Sequence, residues 1–415
     1  MTARRSVAVV GGGMVGLSTA WFLQEAGAEV TVYERDHVGA GASWGNAGWL
    51  TPSLTAPLPE PAVLRYGLRA VLSPRSPVYV PPRAAGPSLA RFLGSFVRHS
   101  TPGRWRRGMA AYAPLNDRAL EAFDVLAAGG VTAPTHPADP FLACFRSEEE
   151  REPLVAELRA IRDEGQDDVR FDLLTGDEVR ALEPALTAEV GAAVRLHGQR
   201  FIHPPQFLDA LGRSVRARGG TLAERCTVLD VRAEADGVRV VTAAGEHRHD
   251  AVVLATGAWL GRLAERFGVR RVVQAGRGYS FSVPVDRLPS GPLYFPTQRV
   301  ACTPLGDRLR VAGMMEFCRP EDPLDARRID AVVEAVRPLL TGADLDDRHD
   351  EWVGSRPVTG DGLPLLGRTR SDRVFVAGGH GMWGIALGPI TGRLVAETVL
   401  EGETPGMLRP FDPLR

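Results

Sequence analysis

A glycine-rich turn near the start of the chain constrains the fold more than any other feature. The segment Val7-Ala-Val-Val-Gly-Gly-Gly-Met14-Val15-Gly16 has the pattern of a buried strand, a corner and the first turn of a helix. Its glycines fit G-x-G-x-x-G: Gly11 permits the tight turn, Gly13 lets backbone N–H groups approach a pyrophosphate, and Gly16 lets helix and strand pack closely. The phosphates would lie at the positive end of the helix.

A second strand supports this interpretation. The helix pattern stops at Gly27, and an alternating strand over 29–33 ends in Glu34. An acidic residue at this distance from the glycines accepts hydrogen bonds from an adenosine ribose, and Arg35 beside it is a further candidate contact. The alternative is a packed strand-helix-strand corner without a nucleotide, but it leaves three successive glycines unexplained.

Composition narrows the classes of function. The 415 residues suffice for about two or three domains, and a net charge of −1 gives no general attraction to nucleic acid or anionic lipid. The chain has no lysine, which excludes a lysine Schiff base. Its four cysteines are scattered and predict reduced core thiols, with no metal site. The strand begins too close to Met1 for a signal peptide, and no apolar run could span a bilayer.

Periodicity gives a coarse outline of the remaining chain. Helices are predicted over 105–128, 149–164, 176–182, 204–212, 325–340 and 384–400, and strands over 227–233, 238–243, 250–257 and 372–380. His203 precedes two prolines at a helix start, so we expect a structural role for it. Apolar residues at helical spacing over 64–72 predict a short helix of a substrate domain, with a membrane-surface helix as the alternative.

Further segments match, in order and spacing, the motifs of a known family. They are the runs 42–48, 254–257 with Trp259, 277–280, 312–316, 352–364 and 378–384. With the glycine turn, they make the chain resemble the FAD-dependent amino acid oxidoreductases of the D-amino acid oxidase and glycine oxidase superfamily, especially bacterial D-amino acid dehydrogenases. The resemblance implies an α/β plus α+β fold. A Rossmann-type FAD-binding domain (1–55, 200–265 and 350–415) would be interleaved with a mixed-sheet and helix substrate domain (56–199 and 266–349).

The resemblance also implies the cofactor contacts. Beyond the first turn and Glu34, these would come from Ser43, Asn46, Ala47, Gly48, Val228, Thr256, Gly257, Trp259, Gly379, Gly381, Met382, Trp383 and Gly384. A helix beginning at Gly384 would direct N–H groups at the flavin pyrimidine edge. Sarcosine oxidases attach their flavin through a cysteine near the segment that here holds Ser355 and Arg356, so the resemblance implies noncovalent FAD.

Arg356 is the expected substrate anchor. Its guanidinium is a permanently charged planar fork that binds a carboxylate bidentately, and the resemblance assigns that role to this arginine. The alternative is a salt bridge to an acid between Asp344 and Glu351. Tyr279 either lines the substrate pocket or packs in a sheet, and His380 either donates to the flavin or packs at a strand end. Glycine oxidases carry a second arginine where this chain has Met382 or Trp383.

The implied reaction is oxidative deamination of an amino acid, either of D configuration or a cyclic secondary amine, by hydride transfer from Cα to flavin N5. Alternatives are a glycine or N-methyl amino acid oxidase that uses O₂, and the flavin subunit of a multi-chain dehydrogenase. An NAD-dependent dehydrogenase fits the first turn but not the glycine-rich C-terminal segment. We expect a cytoplasmic protein that does not bind nucleic acid. Contact with a quinone, the inner face of a membrane, a partner subunit or a second copy stays open.

Overall fold

The described part of the chain comprises residues 5–61, 73 and 75–415 of a computed structural model. Within it, the helices are α1 (Met14–Glu25), α2 (Pro87–His99), α3 (Pro102–Ala128), α4 (Glu148–Asp163), α5 (Gly176–Leu182), α6 (Pro204–Ala217), α7 (Leu260–Ala264), α8 (Ala326–Val336) and α9 (Gly388–Glu401). None of these described helices combines the length and apolarity needed to cross a bilayer.

The strands supply four sheets. In chain order they are β1 (Ser6–Val10), β2 (Glu29–Tyr33), β3 (Trp49–Leu50), β4 (Val78–Tyr79), β5 (His136–Pro137), β6 (Phe141–Phe145), β7 (Phe171–Thr175), β8 (Ala192–Leu196), β9 (Arg200–Phe201), β10 (Thr221–Ala223), β11 (Val228–Glu234), β12 (Gly237–Thr242), β13 (Gly245–His249), β14 (Ala251–Leu254), β15 (Val273–Val283), β16 (Leu293–Phe295), β17 (Val300–Leu305), β18 (Arg308–Phe317), β19 (His349–Thr359), β20 (Leu365–Arg368) and β21 (Val374–Gly378).

A six-stranded sheet brings together the start, middle and end of the chain. Its order is β10-β2-β1-β14-β21-β20, and only β20 runs antiparallel to its neighbour. The central strands β1 and β14 are almost entirely buried because both faces of the sheet are covered. Parallel strands align their carboxyl ends at one edge, so the loops after β1, β2, β14 and β21 meet there.

A second sheet of nine strands forms the other large layer. Its path is β19-β15-β18-β17-β16-β6-β8-β7, and β4 pairs with β18. The longest strands, β15 and β19, pair antiparallel over 273–282 and 349–359. Two smaller sheets, β11-β12-β13 and β3-β9-β5, complete the described strands. In the nine-stranded sheet, the pairing of β15 with β19 therefore places the segment around Arg356 beside the segment around Tyr279.

The structure confirms the predicted fold class and most of the predicted elements. Strand β14 pairs in parallel with β1, as the apolar run 250–257 predicts, and a hairpin joins β11 to β12. The Thr175 start of α5 is a capping box. The helix predicted from Gly384 begins only at Gly388, because a turn occupies the intervening residues. The segment 64–72 lies outside the described residues, and the division into domains stays a prediction.

Helix α1, which begins directly after the glycine turn, is largely buried. Nine of its residues, from Met14 to Leu23, are buried, and Trp21 donates a hydrogen bond from Nε1 to Ser214 on α6 at 3.0 Å. Helix α9 crosses α1 so closely that a Cβ added at Gly392 would lie 2.6 Å from backbone atoms of Ser18 and Thr19. The absence of a side chain at Gly392 therefore sets the distance between these helices.

We predict that Gly392→Ala destabilises the protein, since backbone atoms of α1 cannot move aside as a flexible side chain would. Overpacking of this kind costs about 1–3 kcal/mol in free energy of unfolding. The matched control is Gly94→Ala in α2, where an added Cβ meets no atom within 4 Å. That control should gain about 0.5–1 kcal/mol from helix propensity. Urea unfolding of both variants measures the difference, and equal effects would contradict the close crossing.

Candidate active site

A cavity of about 390 Å³ opens at the carboxyl edge of the six-stranded sheet. Most of the predicted cofactor contacts line it, as do Arg356 and His380. The predicted contacts that do so are Gly11, Gly13, Met14, Val15, Gly16, Glu34, Arg35, Ser43, Asn46, Val228, Thr256, Gly257, Trp259, Gly381, Met382 and Gly384. Residues from five separate parts of the chain therefore converge on one site.

The three glycines of the first turn differ in what surrounds them. Gly11 has φ +113°, and a Cβ there would lie 2.4 Å from the Ala255 carbonyl oxygen. A Cβ at Gly16 would lie 1.9 Å from the Gly11 carbonyl oxygen, so this glycine allows the close packing of helix and strand. At Gly13 an added Cβ would meet only Ser43 Oγ, at 3.3 Å. Gly13 therefore leaves room beside the first helical N–H groups, where a pyrophosphate fits.

Glu34 is held against the glycine turn by backbone hydrogen bonds. One carboxylate oxygen accepts from the Gly12 N–H at 2.7 Å, and the other accepts from the Asp36 N–H at 3.0 Å. A carboxylate has about four lone-pair sites, so both oxygens can still accept further hydrogen bonds from a ligand. The sequence placed Glu34 at a ribose, and its position on the cavity wall is compatible with that role.

Polar and aromatic groups complete this wall. Thr256 Oγ1 is buried without a hydrogen-bond partner in the described structure. Arg35 stacks on Trp259 with its guanidinium carbon 3.7 Å from the ring centroid, and Trp259 Nε1 donates to Glu321 at 2.7 Å. A buried hydroxyl without a protein partner, in a cavity lined by glycines, is available to hydrogen-bond with a polar ligand. The residues present therefore fit a dinucleotide such as FAD.

Four predicted cofactor contacts lie outside this cavity. A Cβ at Gly48 would lie 2.1 Å from the Ile202 carbonyl oxygen, so this glycine allows a close backbone approach. Gly379 has φ +78° and turns the chain after β21. Ala47 and Trp383 line a second cavity instead, and Trp383 Nε1 donates to the Ala56 carbonyl at 2.7 Å.

The second cavity, of about 400 Å³, adjoins the first. Both are lined by Ala42, Asn46, Arg356 and Met382, so these residues mark the junction. Strands of the nine-stranded sheet supply part of the wall of the second cavity, including Tyr279 and Trp352. A ligand there would lie next to a cofactor bound in the first cavity.

Arg356 is the residue at the junction whose charge and partners point most clearly to a ligand. In the described part of the chain, no carboxylate lies within salt-bridge distance of its guanidinium, which donates from one Nη to the Met314 carbonyl at 2.7 Å. The alternative of a salt bridge with an acid from 344–351 is not what the structure shows. Burial lowers the pKa of Arg356 to about 10, so it stays protonated at neutral pH. A half-buried cation without a protein anion is unfavourable unless an anion balances it, so its position is compatible with binding a ligand anion.

Local backbone features hold this guanidinium in place. Strand β19 pairs with β15, and a Cβ at Gly278 would lie 2.1 Å from an Arg356 Nη, so Gly278 provides the space. Strand β18 has an irregular register opposite 277–279, and Met314 there adopts φ +67°. Bulges turn individual backbone groups away from the ladder. Here the turned group is the carbonyl that accepts from Arg356.

Tyr279 lines the second cavity but is also tied to a buried acid. Its hydroxyl donates to Glu316 at 2.5 Å, and burial, then this hydrogen bond, raises the Tyr279 pKa above its ordinary value. Glu316 also faces Arg83 at 3.2 Å and Arg277 at 3.6 Å. Tyr279 therefore stays neutral and fixed, which suits a wall of the pocket better than acid–base chemistry.

The two histidines singled out in the sequence are both held by the protein. His380 Nε2 lies 3.0 Å from Thr391 Oγ1, and burial lowers the pKa of His380 to about 4. It is therefore neutral at physiological pH, and this contact favours the packing interpretation. His203 caps α6 and accepts from the Gln206 N–H at 3.5 Å, as its position before two prolines predicts.

Sequence reasoning missed several residues of the two cavities. Cys226 is half-buried and lines the first cavity, whereas the other three cysteines are buried core thiols as predicted. Glu60, Glu157 and Arg299 line the second cavity. They come from three distant segments without a common motif, so no local signal in the sequence links them.

Together, the fold and the cavities define a dinucleotide-binding enzyme scaffold with an adjoining ligand site. The chain matches the model of the DAO family, FAD dependent oxidoreductase, over residues 6–398. It is 30% identical over 411 residues to a D-amino acid dehydrogenase of Cereibacter sphaeroides, covering 96% of this chain and 92% of the relative. A D-amino acid dehydrogenase of Methylobacterium radiotolerans is 31% identical over 404 residues, covering 95% of each chain.

A solved structure agrees with these relatives. The glycine oxidase from Geobacillus kaustophilus superposes with a TM-score of 0.74 at 26% identity, covering 100% of this chain and 99% of that one. The chain therefore belongs to the DAO family: it is an FAD-dependent oxidoreductase. The resemblance found in the sequence is confirmed.

We predict that Glu34→Ala weakens FAD binding about 10–100-fold, because it removes a charged acceptor at the ribose and two hydrogen bonds that shape the turn. The flavin retained after gel filtration, measured by absorbance, reports the loss. Glu25→Ala, on the exposed end of α1, is the control and should retain FAD. Full retention by the Glu34 variant would contradict the assigned contact.

We predict a pH effect on stability from His380. Folding lowers its pKa from the ordinary 6.5 to about 4, so between these values the unfolded chain binds the additional proton. Stability is therefore lost as the pH falls from 6.5 towards 4, by up to about 3 kcal/mol. His380→Gln should flatten this part of a stability–pH profile obtained from urea unfolding. The exposed His37→Gln should leave the profile as it is, and identical profiles for both variants would disprove the assignment.

Proposed function

We propose that this enzyme oxidises an amino acid of D configuration at Cα, with the substrate bound in the second cavity. The single observation that carries the proposal is the Arg356 guanidinium, which lies half-buried at the junction of the two cavities without a carboxylate partner in the described structure. A substrate carboxylate would supply the missing charge through a bidentate pair. The D configuration is supported by the names of the relatives that cover nearly the whole chain.

The residues of the site act by binding and orienting the substrate. Arg356 would hold the carboxylate, which directs the Cα–H towards the first cavity and converts binding energy into alignment. Bound FAD supplies the acceptor for the hydride. Tyr279 and Met382 shape the walls around the reacting carbon and exclude water. The product imine would then hydrolyse in water to a 2-oxo acid.

Among the residues that the structure describes, those at the junction include no strong base. Tyr279 is neutral and bonded to Glu316, and His380 is neutral and faces Thr391. The substrate amine would therefore lose its proton before or during binding rather than to a dedicated side chain. Catalysis then depends on position and on the cofactor, as in other enzymes that use a tightly held redox group.

Two other features of the mechanism are part of the proposal. FAD is held noncovalently, since no cysteine stands near Ser355 and Arg356. Loss of flavin from the Glu34→Ala variant on gel filtration would test this as well, because an attached flavin cannot be removed in that way. The well-formed second cavity favours an enzyme with its own substrate over a subunit that only relays electrons.

We predict that Arg356→Lys lowers kcat/KM for every D-amino acid about 10²–10³-fold, because an ammonium cannot reproduce the bidentate geometry. Steady-state turnover of a panel of D- and L-amino acids with an artificial electron acceptor measures this loss. The control is Arg337→Lys, an exposed residue of a surface ion pair with Asp346. Unchanged kcat/KM in the Arg356 variant would refute the proposed substrate anchor.

A further inference from the structure

The second cavity contains acidic side chains that the proposed reaction does not use. Glu60 and Glu157 line only this cavity and not the first. Glu157 lies on α4, whereas Glu60 comes from the loop after β3. Arg356, by contrast, lines both cavities, so a substrate held by its carboxylate at Arg356 would extend its side chain into the space that these acids share.

The described residues balance these two acids only in part, through one salt bridge from Arg299 to Glu60. In the described structure, the Glu157 carboxylate makes no hydrogen bond and no salt bridge, although the two acids influence each other electrostatically. The Glu60 carboxylate lies 3.9 Å from an Arg299 Nη, beyond hydrogen-bond distance. Two acids and one arginine leave one uncompensated negative charge when both acids are ionised. Such a charge is costly in an enclosed site unless a ligand balances it.

Neighbouring groups do not remove the imbalance. Tyr294 also lines the cavity, and burial raises the pKa of its phenol. Near the surface, Glu150 adds a further carboxylate, which accepts from Thr297 Oγ1 at 3.2 Å. Burial, and then Glu60, raise the pKa of Glu157 to about 8, whereas Arg299 opposes this shift. A ligand cation beside Glu157 would stabilise the ionised carboxylate and reverse the penalty.

We propose that the enzyme selects D-amino acids whose side chain ends in a cation, a guanidinium or an ammonium, which Glu60 and Glu157 bind. This inference rests on the proposed function, because it assumes that Arg356 holds the substrate carboxylate. Apolar residues including Leu54, Pro57 and Phe145 line the same cavity and suit the methylene part of such a side chain. A volume of about 400 Å³ falls within the usual range of small-molecule sites.

The test compares substrates of equal shape and different charge. D-Arginine and D-citrulline differ at one terminal group, and D-lysine can be compared with D-2-aminoheptanoate, which has a methyl group in place of the ammonium. Steady-state turnover with an artificial electron acceptor should give a kcat/KM about tenfold or more higher for the cationic member of each pair, as a charge-assisted contact requires. Glu157→Gln and Glu60→Gln, which keep the size of the side chain, should each lower this ratio towards one. Turnover of D-citrulline shows that each variant is folded and active.

A matched variant separates the cavity from the overall charge. Glu152→Gln removes a carboxylate from the same helix, at an exposed position that does not line the cavity, and it should keep the wild-type ratio. Equal kcat/KM for D-arginine and D-citrulline in the wild type would overturn this inference and leave the proposed function standing. If no amino acid of either configuration reduced the flavin, both proposals would fall.

Discussion

The charge of the Arg356 guanidinium organises this site, and the described part of the protein places no anion within salt-bridge distance of it. Removing an arginine from water without an anion costs several kcal/mol, and the fold tolerates that cost at the junction of two cavities. Gly278 leaves the space for the guanidinium, and the turned backbone at Met314 gives it a single carbonyl acceptor. One carbonyl orients the side chain but does not neutralise it. The site is therefore prepared for an anion from outside.

The six-stranded sheet determines where a bound cofactor would lie relative to this guanidinium. The contact of Gly16 with the Gly11 carbonyl brings α1 down onto β1, and Glu34 ties the end of β2 to the same corner. Strand β14 lies next to β1 and β21 lies next to β14, all three parallel, so the loops after β14 and β21 form the rest of the wall. The cofactor position follows from this edge, and β19 then carries Arg356 from the second sheet to the same place. A cofactor bound at this edge would therefore lie beside a ligand held by Arg356, because the two sheets converge there.

Much of this arrangement is predictable because it is encoded in local spacing. Three glycines with a strand before and a helix after them define the corner, and an apolar run such as 250–257 identifies a buried parallel strand. The start of α9 shows the limit. The glycine-rich surroundings of Gly384 predict a helix start there. Pro389 is the stronger signal, because proline favours the first turn of a helix, and the helix begins at Gly388.

Other features depend on contacts between distant segments and leave no local pattern. Gly48 fits a family motif, but no local pattern shows that the Ile202 carbonyl also lies too close for a side chain there. The packing role of His380 depends on Thr391, which lies beside its ring but is not linked to it by any local pattern. Glu60 and Glu157 are almost 100 positions apart, and a charged residue on a helix usually faces water. Only the fold shows that these carboxylates face a cavity.

The charges in the two parts of the substrate cavity form a consistent pattern. Arg356 is a cation without an acid, and Glu157 is an acid without a cation within salt-bridge distance in the described structure. Each would be unfavourable alone, since enclosed charges need partners. A ligand with a carboxylate at one end and a cation at the other would satisfy both at once, whereas a neutral side chain would leave Glu157 to be neutralised by a proton. Binding at one end would thus fix the carbon to be oxidised, and binding at the other would select which amino acid reaches it.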